Sequence, residues 1–411
     1  MFTEINRIEN DIENLAKFNA TPGKGITRFS FTEEDRKARK YIKNEMQKAG
    51  LDVREDAVGN IIGKREGKDS SLPVIMVGSH FDSVKNGGMF DGPAGVAAGL
   101  ETARVFKEKD LENNYPLEVI AMVEEEGGRF GSGLFGSRAM TGRLDREELY
   151  QNSDENGITT AEALSDFGFD PKDYKKARRF PDEIKAFFEL HIEQGPVLET
   201  KNEEVGLVSN IVGITQYEVI IEGEADHAGT TPMDMRRDPL ATTGAIFAEI
   251  ERLAIKAGEG TVATVGKVNT EPGAANIIPG IVKFSIDIRS RNEDKISCVS
   301  EGIKNFLVDN TKDKNISFKM VEKISVPPVK LPEYITQIME EKGKEADISC
   351  LKMNSGAGHD AMIMTDIADV GLVFVPSRDG KSHCPEEWTD YKDLQKGIEL
   401  VCRTVIDMAC N

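Results

Sequence analysis

Residues Leu72–His80 read LPVIMVGSH. A short, continuous apolar run of this kind marks a strand buried on both faces. It is followed by the glycine-rich FDSVKNGGMFDG (Phe81–Gly92) and then by GPAGVAAGLETARVFKEK (Gly92–Lys109). There Val96, Leu100, Ala103 and Phe106 recur at three- and four-residue spacing, as in a helix. The next apolar run, PLEVIAMVEEE (Pro116–Glu126), is a second buried strand. Strand, helix, strand in this order predicts an α/β layer with a largely parallel sheet. Ligand sites in such sheets form outside the carboxyl ends of the strands. His80 ends one strand, and Glu124, Glu125 and Glu126 end the next.

Upstream, FTEEDRKARKYIKNEMQKAG (Phe31–Gly50) reads as a helix with Thr32 as N-cap and Gly50 as its stop. LDVREDAVGNIIGKRE (Leu51–Glu66) reads as two strands joined by a turn. The middle of the chain differs. GITQYEVIIEGEA, DPLATTGAIFAEIERLAIKAG, GTVATVGKVN, IVKFSIDIRS, NEDKISCVSEGIKNFLVDN and ISFKMVEKI alternate as strand, helix, strand, strand, helix, strand. This βαββαβ order suits a small domain with an antiparallel sheet. SVPPVKLP (Ser325–Pro332), with three prolines, reads as a linker out of it. The expected organisation is a discontinuous domain of residues 1–210 and 327–411, with residues 211–326 inserted.

The chain has 411 residues and a formal net charge of −19. Such acidity argues against a nucleic-acid partner, which selects for a basic face. No apolar run approaches the roughly 18–20 residues of a membrane span. The amino-terminal MFTEINRIENDIENLA is acidic and amphipathic, without the basic start and apolar stretch of a signal peptide. A cytoplasmic location is therefore expected. The five cysteines (298, 350, 384, 402 and 410) form no CxxC pattern and read as reduced thiols.

All five histidines lie in polar, glycine-rich or acid-rich stretches: His80 in GSHFD, His191 in ELHIEQGP, His227 in EADHAGTTP, His359 in SGAGHDA and His383 in GKSHCPEEW. A lone histidine is commonly a surface or hydrogen-bonded core residue; five in such settings point elsewhere. Imidazole with carboxylate suits Zn²⁺, Mn²⁺ or Co²⁺. Asp91 sits in a glycine-bent loop from which its carboxylate could bridge two ions. Three carboxylates directly after a buried strand repel one another, and a divalent cation offsets that repulsion. Two metals about 3.5–4 Å apart can share a hydroxide and polarise a carbonyl. One glutamate of the triplet is expected to bind metal and a neighbour to act as base. Asp82 is expected to hydrogen-bond the far nitrogen of His80.

GSHFDSVKNGGMFDGPAGV, EEEGGRFGSGLFGSRAMTG, ELHIEQGPVLE, HAGTTPMDMRRDP, PGAANIIPG, SIDIRS, SGAGHDA and GKSHCPEEWT resemble, in order, the motifs of the binuclear metal amidohydrolases related to aminoacylases. Within these they are similar to the subgroup of N-carbamoyl-L-amino-acid hydrolase, allantoate amidohydrolase and β-ureidopropionase. GITRFSFTEEDRKAR (Gly25–Arg39) resembles that subgroup too. The resemblance implies a metallopeptidase-like catalytic domain carrying an inserted lid and dimerisation domain, two divalent ions per subunit, and a homodimer. It implies that His80, Asp91 and His191 hold one ion, and that Asp91, Glu126 and His383 hold the other, with Asp91 bridging. Glu125 matches the general base, Asp82 the carboxylate that orients His80, and His227 a lid histidine that stabilises the oxyanion. Gln194, Gln216, Asn276, Arg289 and His359 match residues around the substrate; Arg289 offers a planar fork suited to a carboxylate. The implied reaction is hydrolysis of a linear ureido C–N bond, with an N-carbamoyl-L-amino acid as first substrate and allantoate as second. An aminopeptidase or N-acyl deacylase on the same core is a more distant reading. A non-catalytic metal binder would not need Glu125. Lys381 and Cys384 depart from the usual residues beside His383 without removing a ligand.

Overall fold

The computed structural model describes all 411 residues except Asp313. They fall into two compact units. One comprises Met1–Ser209, Leu331–Met353 and His359–Asn411; the other comprises Asn210–Lys330 and Asn354–Gly358.

The first unit is built on one sheet. Seven of its nine strands run in the order Asp52–Glu55, Ile61–Arg65, Leu117–Met122, Val74–His80, Ile184–Ile192, Asp369–Val375 and Val205–Ile211. The central four strands are mutually parallel, and the flanking pairings are antiparallel. Val74–His80 and Leu117–Met122 are buried at every position, as their unbroken apolar runs require. Helices Glu33–Lys48, Pro93–Glu108 and Tyr391–Cys410 supply apolar side chains to the two buried clusters that enclose the sheet. Thr32 caps the first of these helices by accepting the Asp35 N–H at 3.4 Å. Gly50, at φ +85°, follows its end. Pro93 opens the second helix with its pre-set φ.

The second unit is an antiparallel sheet of Val268–Glu271, Ile281–Ser290, Gly213–Glu222 and Ser317–Val326, with Val262–Thr264 also on Ile281–Ser290. Helices Pro239–Ala257 and Glu293–Thr311 close its core around Ile221, Ile246, Phe284, Ile288, Val299 and Ile303. Ile281–Ser290 alternates half-buried and buried along its whole length, the mark of a sheet covered on one face. Where one strand was expected over Gly260–Asn269, the chain forms two short ones, Val262–Thr264 and Val268–Glu271, separated around Gly266. Glycine packs no side chain and weakens a strand interior. Among the described residues, no helix is long and apolar enough to cross a membrane.

Candidate metal centre

The carboxyl ends of the central strands of the first unit deliver the cluster. His80 ends its strand, Glu124–Glu126 follow the next, His191 is the penultimate residue of Ile184–Ile192, and the segment to His383 follows Asp369–Val375. Asp91 reaches the same point from the loop before helix Pro93–Glu108. Gly92 makes that approach possible: it has φ +81°, and a Cβ there would overlap the His80 ring.

Asp91 stands at the centre. Its Oδ1 lies 3.3 Å from His80 Nε2 and 3.1 Å from His191 Nε2, and its Oδ2 lies 3.4 Å from His383 Nε2. Glu126 Oε2 is also 3.4 Å from His383 Nε2. One carboxylate therefore offers one oxygen to each of two ligand groups, His80–Asp91–His191 and Asp91–Glu126–His383. His191 Nδ1 faces the Ile192 carbonyl at 2.9 Å and His80 Nδ1 that of Asp82 at 3.3 Å. A proton on each Nδ1 satisfies those carbonyls and leaves Nε2, the nitrogen that faces Asp91, as the one that a metal would take in place of its proton. His80 Nε2 and Glu126 Oε1 are buried without a hydrogen-bond partner. Orphaned buried acceptors converging on one point are what a divalent cation would satisfy, so the donor set fits a metal.

Electrostatics agree. Burial alone would lower the His80 pKa, but Glu125, Asp82 and Asp91 outweigh it and hold it well above its ordinary value. Burial drives the Glu125 carboxyl well up, with Glu126, Asp360 and Asp82 adding repulsion against the attraction of His80. Burial and Asp91 raise Glu126 to about 8. The contact with Asp91 raises His383 to about 9. In the metal-free protein at neutral pH, Glu126 and His383 therefore carry protons that an ion must displace. Metal affinity is expected to rise steeply as pH climbs through about 8 and 9, where Glu126 and His383 lose their protons. Calorimetry at pH 7 in buffers of different ionisation enthalpy should detect proton release on binding; pH-independent affinity would contradict the geometry.

The remaining residues divide by unit. Gln194, in the left-handed region at φ +58°, donates to Asp91 Oδ2 at 2.7 Å and lies 3.2 Å from His383 Nε2. His359 is buried against His191, ring centroids 4.6 Å apart. Burial and the neighbouring His191 keep it well below the ordinary histidine value, and so neutral. In the second unit, Asp226–His227 pairs with Ile277–Ile278, and the Ala228 N–H donates to the Asn276 carbonyl at 3.0 Å, so His227 and Asn276 are neighbours. His227 Nδ1 accepts the N–H groups of Gly229 and Thr230 at 3.0 and 3.2 Å, which places its ring proton on Nε2. Arg289 and Gln216 meet at Asp287, which accepts Arg289 Nε at 2.8 Å and Gln216 Nε2 at 2.8 Å.

Sequence reasoning missed several partners. The Asp82 carboxylate stands 3.6 Å from His80 Nδ1, but its two oxygens accept the backbone N–H groups of Glu125 and Glu126 at 3.1 and 3.2 Å. It thus orients the loop that carries those two glutamates as well as sitting beside His80. Glu124 turns away: Oε1 accepts the N–H groups of Arg129 and Phe130. Asp287 and Glu387 were not singled out, although Asp287 lies in SIDIRS and Glu387 four residues after His383. Among the described residues, no candidate ligand group contains Cys384 or any other cysteine.

Residues 76–407 match the model of peptidase family M20/M25/M40. The chain belongs to that family. This M20 chain is 44% identical over 402 residues to an N-carbamoyl-L-amino-acid amidohydrolase of Paenarthrobacter aurescens, covering 98% of this chain and 97% of the relative. It is 36% identical to the allantoate amidohydrolase of Bacillus subtilis, covering 98% of each. Among solved structures it resembles an amidase of the hydantoinase/carbamoylase family from Burkholderia multivorans, with a TM-score of 0.91 and 30% identity over 100% of this chain and 98% of that one.

Proposed function

We propose that the chain is an amidohydrolase that cleaves the ureido C–N bond of an N-carbamoyl-L-amino acid, releasing the L-amino acid, CO₂ and ammonia. The observation that carries this reading is the buried Asp91, one oxygen toward each of two ligand groups, with Glu125 at its edge: Oε2 is 3.8 Å from His80 Nε2. The full-length likeness to the carbamoyl-amino-acid hydrolase supports the substrate.

His80, Asp91 and His191 would hold one divalent ion, and Asp91, Glu126 and His383 a second; Zn²⁺, Mn²⁺ and Co²⁺ suit these donors. Bound there, such ions polarise a carbonyl and make water acidic. Glu125 takes the proton of the attacking water and passes it to the leaving nitrogen, a task its raised pKa suits. Asp82 holds Glu125 in place through its backbone N–H. His227, with its proton on Nε2, serves as donor to the carbonyl oxygen as charge develops there. Arg289, Asn276 and Gln216 receive the substrate carboxylate. Asp287 occupies the Nε edge of the Arg289 guanidinium and the Gly356 carbonyl takes an Nη1 proton, which leaves further N–H donors for that carboxylate. Gln194 and His359 flank the metal ligands of the first unit. The active form is a homodimer in the cytoplasm.

Arg289→Ala is expected to raise KM for carboxylate substrates at least tenfold with a smaller change in kcat, since removing one charge-assisted contact costs about 1.5–3 kcal/mol. A KM effect confined to neutral amides would contradict it. Allantoate carries the same carboxylate and ureido groups, and the likeness to the allantoate enzyme makes it the second reading. Turnover of metal-stripped and Mn²⁺-, Co²⁺- or Zn²⁺-loaded enzyme on N-carbamoyl-L-amino acids, allantoate, N-carbamoyl-β-alanine and N-acetyl amino acids tests the proposal. Preference for allantoate or for N-acetyl substrates would overturn it.

A further inference from the structure

Glu387 is 3% exposed and lies against Asp91. Its Oε1 accepts the backbone N–H groups of Phe90 and Asp91 at 3.0 and 3.1 Å. Its Oε2 lies 3.0 Å from the Ser382 hydroxyl and accepts the His383 N–H at 3.3 Å. The Ser382 hydroxyl is also 2.9 Å from Asp91 Oδ2. One carboxylate thus ties together two segments almost 300 residues apart in sequence, and each segment carries a candidate ligand. Gly88 makes room for it, because a Cβ there would overlap the Glu387 carboxylate. Among the described residues, no lysine or arginine pairs with Glu387. A buried carboxylate set beside another, hydrogen-bonded to N–H and O–H groups and without a lysine or arginine to neutralise it, is a costly arrangement for stability. It becomes intelligible if the loops it joins must hold a cation.

We propose that Glu387 is a positioning residue of the metal centre: through the backbone of Asp91 and His383 it keeps the Asp91–Glu126–His383 group in ligand geometry. The proposal rests on the metal reading above and is independent of the substrate. It requires an acceptor at both oxygens. A carboxamide cannot supply that, because its NH₂ must face one of the two N–H sets. Turned toward Ser382, whose hydroxyl can accept, it leaves the His383 N–H without a partner while the Phe90–Asp91 arm survives.

The test is Mn²⁺ binding by equilibrium dialysis to metal-stripped wild type, Glu387→Gln, His383→Ala and the double variant. In Glu387→Gln the class of Mn²⁺ that His383→Ala removes should lose roughly 10–100-fold in affinity, the usual effect of removing a partner that orients a ligand. The other class should be unchanged, and the double variant should bind no worse than His383→Ala. kcat should recover at raised Mn²⁺ while KM stays constant. Unchanged binding, equal weakening of both classes, or additive losses in the double variant would overturn the proposal. Should Glu387→Gln fail to give the cooperative melt of wild type, Ser382→Ala removes one arm of the same clamp. It should weaken the same class by a smaller factor, and wild-type binding there would also overturn the proposal. Because dialysis uses no substrate, an error in the proposed substrate leaves these outcomes untouched.

Discussion

Glu125→Gln is expected to retain its metal and to lose roughly 10²–10⁴-fold in kcat, the contribution of a positioned general base. The geometry sharpens the test, because Glu125 could also be counted as a ligand in a His80–Glu125–Glu126 group. His80 Nε2 is closer to Asp91, at 3.3 Å, than to Glu125, at 3.8 Å. Glutamine has the same shape and retains one oxygen, but it cannot take up a proton at neutral pH. If Glu125 only moves protons, metal stoichiometry measured on the purified variant stays at the wild-type value while turnover collapses. If it is a ligand, metal content and turnover fall together and excess metal restores part of the activity. Near-normal kcat with full metal would remove Glu125 from the mechanism. The expected pH profile follows the same logic. Burial and neighbouring carboxylates raise the Glu125 pKa in the metal-free protein, and a nearby cation pulls it back down. The acidic limb of kcat/KM in the loaded wild type should therefore vanish in the variant.

Much of this site was legible because its chemistry sits where apolar runs stop. His80 ends one fully buried strand and the glutamate triplet follows another, and parallel strands bring their carboxyl ends to one edge. The elements of the second unit were legible for a similar reason: Ile281–Ser290 alternates with period two, and the helices around it carry apolar residues at three- and four-residue spacing. What escaped reading was set by backbone N–H groups rather than by side-chain pattern. Nothing in EEE distinguishes Glu124 from its neighbours. The distinction comes from φ +53° at Glu124 and from Asp82 gripping the next two N–H groups, which turns Glu124 onto Arg129 and Phe130. Glu387 looks like half of a solvated acidic pair until Phe90 and Asp91 are brought to it across the sequence. Asp287 reads as one more charge in a strand until the antiparallel register sets it opposite Gln216, with Arg289 two residues along the same face.

The two aspartates in HFDSVKNGGMFDG separate most sharply under substitution. Asp91→Ala is expected to abolish specific metal binding altogether and reduce turnover to background, because both ligand groups lose the residue they share. The loss should exceed that of His383→Ala, which spares His80–Asp91–His191. Asp82→Asn should behave differently. The carboxamide keeps one acceptor for the Glu125 and Glu126 N–H groups, and among the described residues no candidate ligand group includes Asp82. Metal should still bind, with affinity reduced roughly 10–100-fold as the loop and the His80 ring lose part of their support. Metal analysis after dialysis against a limiting chelator reads both variants on one scale. Stability gives an independent check with a definite sign. In the metal-free protein Asp91 repels Glu126, and burial together with that repulsion holds the Glu126 pKa at about 8. A carboxyl whose pKa is raised on folding contributes stability at low pH, and that contribution is lost as pH rises from the unfolded-state value through about 8. Removing the Asp91 charge relieves the repulsion but also strips His80, His191 and His383 of a counter-charge. His80 and His191 are buried and held above their ordinary pKa with the help of that charge, so in Asp91→Ala they should deprotonate more readily. Imidazole titrations followed by NMR should then move to lower pH in metal-free Asp91→Ala and stay near wild type at His191 in Asp82→Asn. Downward shifts of equal size at His191 in the two variants would mean that Asp91 is not the centre on which the histidines converge.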